Sequence, residues 1–213
     1  MSAGAAQSVS LAGPAGRLEA LVELPAAAAP RLAGIVCHPH PLHGGTMHNK
    51  VVHTLARALR AGGAASLRFN FRGVGASEGT HDGGAGETDD ALAAVDWARR
   101  RWPEAALILA GFSFGAVVAI RAAAAAQARW LISVAPAVDR VNLEAVQAPG
   151  CPWLIVQGAD DDVVSPEAVC GWAARHAPQA RLRLIPGTGH FFHGALHRVS
   201  DCVREDWPAA LGH

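Results

Sequence analysis

The stretch Leu107-Ile108-Leu109-Ala110-Gly111-Phe112-Ser113-Phe114-Gly115-Ala116-Val117-Val118-Ala119-Ile120 decides the architecture. An apolar run ends in Gly-x-Ser-x-Gly, and a second apolar run follows without a break. A strand turns directly into a helix around one residue only when that residue takes a strained backbone conformation. Side chains two positions to either side would then collide, which is the physical reason for Gly111 and Gly115. The result is a sharp elbow. It holds the Ser113 hydroxyl above a sheet edge at a helix N-terminus, where developing negative charge is stabilised.

Working outward, short apolar runs recur at Leu32–Cys37, Ala64–Phe69 and residues 106–110, 130–135, 152–156 and 180–185. Runs without polar alternation are what strands covered on both faces look like. Leu18, Ala20, Val22 and Leu24 instead alternate with Arg17, Glu19 and Glu23, which suggests a half-exposed strand. Residues 1–16 are small, polar and broken by glycine and proline, so they are expected to form a loose lead-in to a single domain over residues 17–213. An alanine linker follows Pro25.

Helical patterns separate the runs. Val51, Val52, Leu55, Ala58 and Leu59 make one apolar stripe, with Gly62 placed to stop it. Glu87, Asp89 and Asp90 open a second helix and Arg99, Arg100 and Arg101 close it, a charge order that complements the helix dipole. Ser165-Pro166-Glu167 reads as a hydroxyl cap with proline at the first helical position. Leu196, Val199, Val203 and Trp207 form the stripe of a final helix. Strands and helices in this alternation imply an α/β fold: a mostly parallel central sheet with helices on both faces. The segment from Asp139 to Gly150 is a short loop between two core strands, with no room for an inserted cap domain.

Composition excludes several classes. Of the 213 residues, 51% are hydrophobic and 17% charged, enough apolar surface for a continuous core and too little charge for a disordered chain. Basic and acidic residues balance at 18 each, so no global basic field exists to hold nucleic acid or an anionic membrane. The apolar stretch of residues 105–120 is too short to span a bilayer. Residues 1–10 show no signal-peptide pattern, and Cys37, Cys151, Cys170 and Cys202 have no CxxC pairing. A reduced cytoplasmic setting fits these features.

A nucleophilic serine needs a base, and the base needs an orienting carboxylate. On an elbow of this kind the chain order is Ser, then Asp or Glu, then His. Residues 152–158 lead into Asp160-Asp161-Asp162-Val163-Val164, and the last strand leads into Pro186-Gly187-Thr188-Gly189-His190. Both segments fall at C-terminal strand ends, where open parallel sheets bind ligands. Each of the three aspartates satisfies the order, and Asp139 is a more remote candidate.

These motifs resemble the α/β-hydrolase superfamily, in particular its small, lidless serine-hydrolase branch related to dienelactone hydrolases. The resemblance runs from about Arg17 to the C-terminus. The family's Gly-x-x-Asp-x-x-Val acid motif is similar to Gly158, Asp161 and Val164, which implies Asp161 as the acid. His190, in Gly-x-Gly-His-Phe-Phe, matches the family's histidine loop and is implied as the base. An oxyanion hole needs two convergent N–H groups. One is expected from Phe114, the residue after the nucleophile. The other is expected from His38-Pro39-His40-Pro41-Leu42-His43, which resembles the family's His-Gly-x turn with His38-Pro39 in place of His-Gly. Prolines carry no N–H, so the donors left are His40 and Leu42, and position favours His40.

The implied activity is hydrolysis of small carboxylic esters through an acyl-enzyme, with a small-molecule partner and neither cofactor nor metal. Amide, thioester or lactone cleavage on the same triad stays open, as does a binding module with a dormant triad. Oligomeric state is open as well, a homodimer included. Without a cap the site should be shallow and partly wet, which favours short acyl groups.

Three further features have bland readings that outweigh the functional ones. His38, His40 and His43 could suit a metal, but prolines and histidines packed around the active-site floor explain them. His193 and His197 stand four apart on an expected helix, a spacing that exposed histidines commonly show. Arg72-Gly73-Val74-Gly75-Ala76-Ser77 is similar to a structural corner of the family, in which Arg72 holds a carboxylate or a carbonyl. The glycine-rich loop of residues 83–86 is expected to be mobile and to border the pocket. Phe114, Phe191 and Phe192 flank the catalytic loops and are expected to touch substrate.

Overall fold

The computed structural model describes residues 6–26, 30–141, 143 and 149–212. Its sheet contains β1 (Gln7–Gly13), β2 (Gly16–Glu23), β3 (Leu32–Cys37), β4 (Ala64–Phe69), β5 (Ala106–Phe112), β6 (Trp130–Val134), β7 (Trp153–Gly158) and β8 (Arg181–Ile185). The spatial order is β1-β2-β4-β3-β5-β6-β7-β8. β2 runs antiparallel to both β1 and β4, and every pairing from β4 to β8 is parallel.

Alternation along each central strand divides the core in two. In β5, Leu107 and Leu109 join one cluster while Ile108, Ala110 and Phe112 join the other. The first cluster is covered by α2 (Ala85–Arg101), α3 (Phe114–Ala123) and α4 (Pro166–His176). The second is covered by α1 (Lys50–Ala61) and α5 (Leu196–Glu205). Burial on both faces is why the central strands carry no polar alternation.

Three expectations need correcting. From Gln7 onward the lead-in is a strand, joined to β2 by a tight turn that pairs Gly13 with Gly16. Within β1 only Leu11 is fully buried, with Val9 packed against the core, so its apolar signature is two residues long. The final helix ends at Glu205, and Trp207 lies beyond it, edge-on to Trp130 at 5.1 Å between ring centroids. Because α5 starts at Leu196, His193 precedes the helix and makes no i, i+4 pair with His197. Most of the alanine linker (residues 27–29), part of the loop between β6 and β7 (residues 142 and 144–148) and the start of the lead-in (residues 1–5) lie outside the described residues.

Candidate active site

Three parallel strands deliver the side chains to one end of the sheet. β5 ends at Phe112 and α3 begins at Phe114, so Ser113 alone makes the turn. Its φ of 57° lies in the left-handed region, a strained state for a residue with a Cβ. A Cβ on Gly111 would overlap the Gly115 carbonyl, and one on Gly115 would overlap the carbonyls of Cys37 and His38. The two glycines therefore let the elbow close and let it seat against the end of β3.

β7 and β8 are neighbours, and their following loops are stitched together. Ala159 N–H donates to Ile185 O at 2.9 Å and Asp160 N–H to Thr188 O at 3.0 Å. This brings Asp161 beside His190. His190 Nε2 lies 3.1 Å from Ser113 Oγ, and its Nδ1 lies 2.8 Å from Asp161 Oδ2. All three side chains are buried. Asp160 and Asp162 are exposed, and Asp139 Oδ2 accepts from the Ser165 amide at 3.4 Å.

Asp161 is held on every side. Its Oδ1 accepts the amides of Val163 at 2.9 Å and Val164 at 2.8 Å. Its Oδ2 accepts Gln157 Nε2 at 2.9 Å as well as His190. Burial pushes this carboxyl up, but the hydrogen bonds from His190, Val164 and Val163 and the nearby imidazole charge outweigh it. The net effect holds Asp161 below the ordinary aspartate range. Sequence reasoning alone misses Gln157. Its signal is a lone amide inside a fully covered apolar strand, four residues before the acid.

Phe114 and His40, the expected oxyanion donors, line one cavity with Ser113. Phe114 N–H is the first of α3 and has no partner among the described residues. In the loop after β3, the Leu42 amide donates to His40 Nδ1 at 3.2 Å, whereas the His40 amide has no partner among the described residues. Burial, followed by the neighbouring His43 and His81 rings, keeps the His40 imidazole below the ordinary histidine range. The loop of residues 81–84 is pinned by buried Glu87. That carboxylate accepts from His81 Nδ1 at 2.8 Å and from the amides of Asp82 and Gly84 at 2.9 and 2.7 Å. The expected mobile loop is thus a tied one, and Gly83 borders the cavity.

That cavity, about 360 Å³, is lined by Ser113, His40, His43, Phe114, Arg140 and small aliphatic residues. Phe114 reaches it as expected. Phe192 does not: it is fully buried against Phe112 in the core, with φ 52°. Phe191 is 48% exposed and stands edge-on to His190. Arg72 grips Asp90 through Nε and Nη2 at 3.0 and 2.8 Å, the carboxylate partner its corner motif implied. The described residues contain no cluster of three His, Cys, Asp or Glu arranged to hold a metal, and both nitrogens of His38 are engaged by backbone groups.

A family model described as serine aminopeptidase, S33 matches residues 39–148, just over half of the chain. The chain belongs to the serine aminopeptidase S33 family. A lidless α/β serine hydrolase from Xanthomonas campestris is 43% identical to this S33-family chain. Their structures superpose with a TM-score of 0.93 over 98% of this chain and 96% of that one. An α/β serine hydrolase homologue from Coxiella burnetii is 42% identical, with a TM-score of 0.89 over 93% and 96% of the two chains. An uncharacterized protein of Rickettsia prowazekii is 34% identical over 91% of this chain and 85% of its own. The S33-family chain is a serine hydrolase of the lidless α/β-hydrolase fold.

Proposed function

We propose that this hydrolase cleaves small carboxylic esters through an acyl-enzyme. The observation that carries the reading is the unbroken chain Ser113 Oγ, His190 Nε2, His190 Nδ1, Asp161 Oδ2, with links of 3.1 and 2.8 Å. Asp161 stays a carboxylate and accepts a hydrogen bond from the Nδ1–H, which holds the proton on Nδ1 and leaves the Nε2 lone pair aimed at the serine hydroxyl. Ser113 attacks the ester carbonyl as its proton passes to Nε2. The oxygen that becomes negative is received by the N–H groups of Phe114 and His40. His190 then gives its proton to the departing alcohol. Water repeats the cycle on the acyl-serine, and no cofactor or metal enters.

Two features support the substrate class. A cavity of about 360 Å³ is small for a binding site, and no cap covers it among the described residues, which suits a short acyl group better than a long lipid. Its described lining includes the Arg140 cation and two imidazoles but no carboxylate. A free α-amine, which an aminopeptidase must hold, would find no counter-charge among these described lining residues. Ester substrates therefore suit the site better than amino-terminal peptides. The four free cysteines support a reducing, cytoplasmic setting.

The test is a series of p-nitrophenyl esters of increasing acyl length, run beside the matching anilides on the parent and on Ser113→Ala. kcat/KM is expected to peak at roughly two to four acyl carbons and to be far lower for anilides. Ser113→Ala should lower kcat by about 10³-fold or more. A peak at long acyl chains, or anilides cleaved as fast as esters, would contradict the reading.

A further inference from the structure

We infer that His38 is a positioning residue of this site. Through its bond to the Pro39 carbonyl it aims the opposite end of the same peptide, the His40 N–H, at the oxyanion. This inference rests on the reading of His40 as the second oxyanion donor.

The hydrogen bonds fix which ring nitrogen carries the proton. The Phe71 backbone N–H donates to His38 Nε2 at 3.0 Å. An N–H can only donate, so Nε2 is bare, and in a neutral imidazole the proton sits on Nδ1. Nδ1 lies 2.7 Å from Pro39 O. Burial pushes His38 down to about 4, against weaker upward pulls from the Pro39 bond and Glu87. The ring is therefore neutral at ordinary pH and donates through Nδ1.

The Pro39 carbonyl and the His40 N–H belong to one planar trans peptide, in which C=O and N–H point in opposite directions. Holding the oxygen on one side sends the hydrogen to the other. His38 is the only donor to Pro39 O among the described residues. The ring itself is fully buried and packs on Phe71 at 4.5 Å between centroids. Its own carbonyl lies against Gly115, so the loop rests on the elbow that carries Ser113. On the far side of the peptide, His40 lines the cavity with Ser113, and its N–H has no partner among the described residues.

Substitutions at the two positions test the inference. His38→Gln places its terminal amide near Nε2 and loses the Pro39 donor, whereas His38→Asn places an NH₂ near Nδ1 and keeps it. His38→Gln is expected to lower kcat by about 10²-fold with KM within about twofold, and His38→Asn to recover most of that loss. His40 has φ −54°, which proline adopts, so His40→Pro compared with His40→Ala isolates the loss of the N–H. His40→Pro is expected to be about 10²-fold slower than His40→Ala. Adding His38→Gln should then slow the His40→Ala background and leave the His40→Pro background unchanged. Equal rates for His40→Pro and His40→Ala would remove His40 from the oxyanion site, and the underlying reading with it. If His40→Pro is slow yet His38→Gln costs the same on both backgrounds, or nothing, the reading stands and the positioning role falls. If His38→Gln does not fold, ¹⁵N shifts of the His38 ring in the unaltered protein decide. A proton on Nδ1 supports the role, and a proton on Nε2 overturns it.

Discussion

Gln157 Nε2 lies 2.9 Å from Asp161 Oδ2, the same oxygen that accepts the Nδ1 bond of His190. The amide also reaches the carbonyls of Gly158 at 3.3 Å and Val164 at 3.2 Å. One buried NH₂ group thus joins the end of β7 to the turn that presents the acid. Gln157→Leu keeps the volume and leaves these acceptors without their donor. It is expected to cost about 1–3 kcal/mol of stability. It should also lower kcat by about 10-fold, since small displacements of a catalytic group are costly. Chemical denaturation and steady-state kinetics on one preparation check both.

Gly115→Ala tests why the elbow can close. The added methyl overlaps the carbonyls of Cys37 and His38, which are backbone and cannot swing aside. Overpacking of this kind costs about 1–3 kcal/mol. A lower Tm together with lost esterase activity is expected, and a variant with parental Tm and rate would contradict the contact.

The neutral His38 ring has a consequence for stability in acid. Its folded value of about 4 lies below the ordinary 6.5, so between these pH values the unfolded chain binds the proton and the folded one does not. Its contribution is therefore fully present above pH 6.5 and lost as pH falls toward 4, with a slope of up to about 1.4 kcal/mol per pH unit. Urea unfolding of the parent and of His38→Asn across this window should show the steeper decline in the parent. Equal slopes would contradict a buried neutral ring.

Much of this architecture is legible in the chain because its physical causes are local. Gly111 and Gly115 mark a turn only glycines permit, and the uninterrupted apolar runs mark strands covered on both sides. What stays hidden depends on tertiary partners. β1 escapes notice because only Leu11 and Val9 turn inward, and the hairpin with β2 supplies the rest of its stability. Phe192 looks like a pocket residue by its place two residues after His190, yet its backbone at φ 52° turns the ring into the core. The role of His38 lies in its hydrogen bond with Phe71, 33 residues away, which no local pattern announces, and Gln157 shows in the sequence only as a lone amide in an apolar strand, with nothing to say which partners it meets.

Arg72→Met tests the corner beside the site. Asp90 is fully buried and is gripped by two guanidinium nitrogens and by the Arg72 amide at 3.0 Å. Removing the cation strands a buried carboxylate, at a cost of about 3–5 kcal/mol. Asp90→Asn on top of Arg72→Met should recover part of that loss, measured by thermal or urea unfolding.

The serine's place in the chemistry is tested most directly by a fluorophosphonate probe, with the adduct located by mass spectrometry of the digested protein. One adduct per chain, on Ser113, is predicted, with none in Ser113→Ala. An adduct on another residue, or a Ser113→Ala variant that is labelled and turns over esters like the parent, would contradict it.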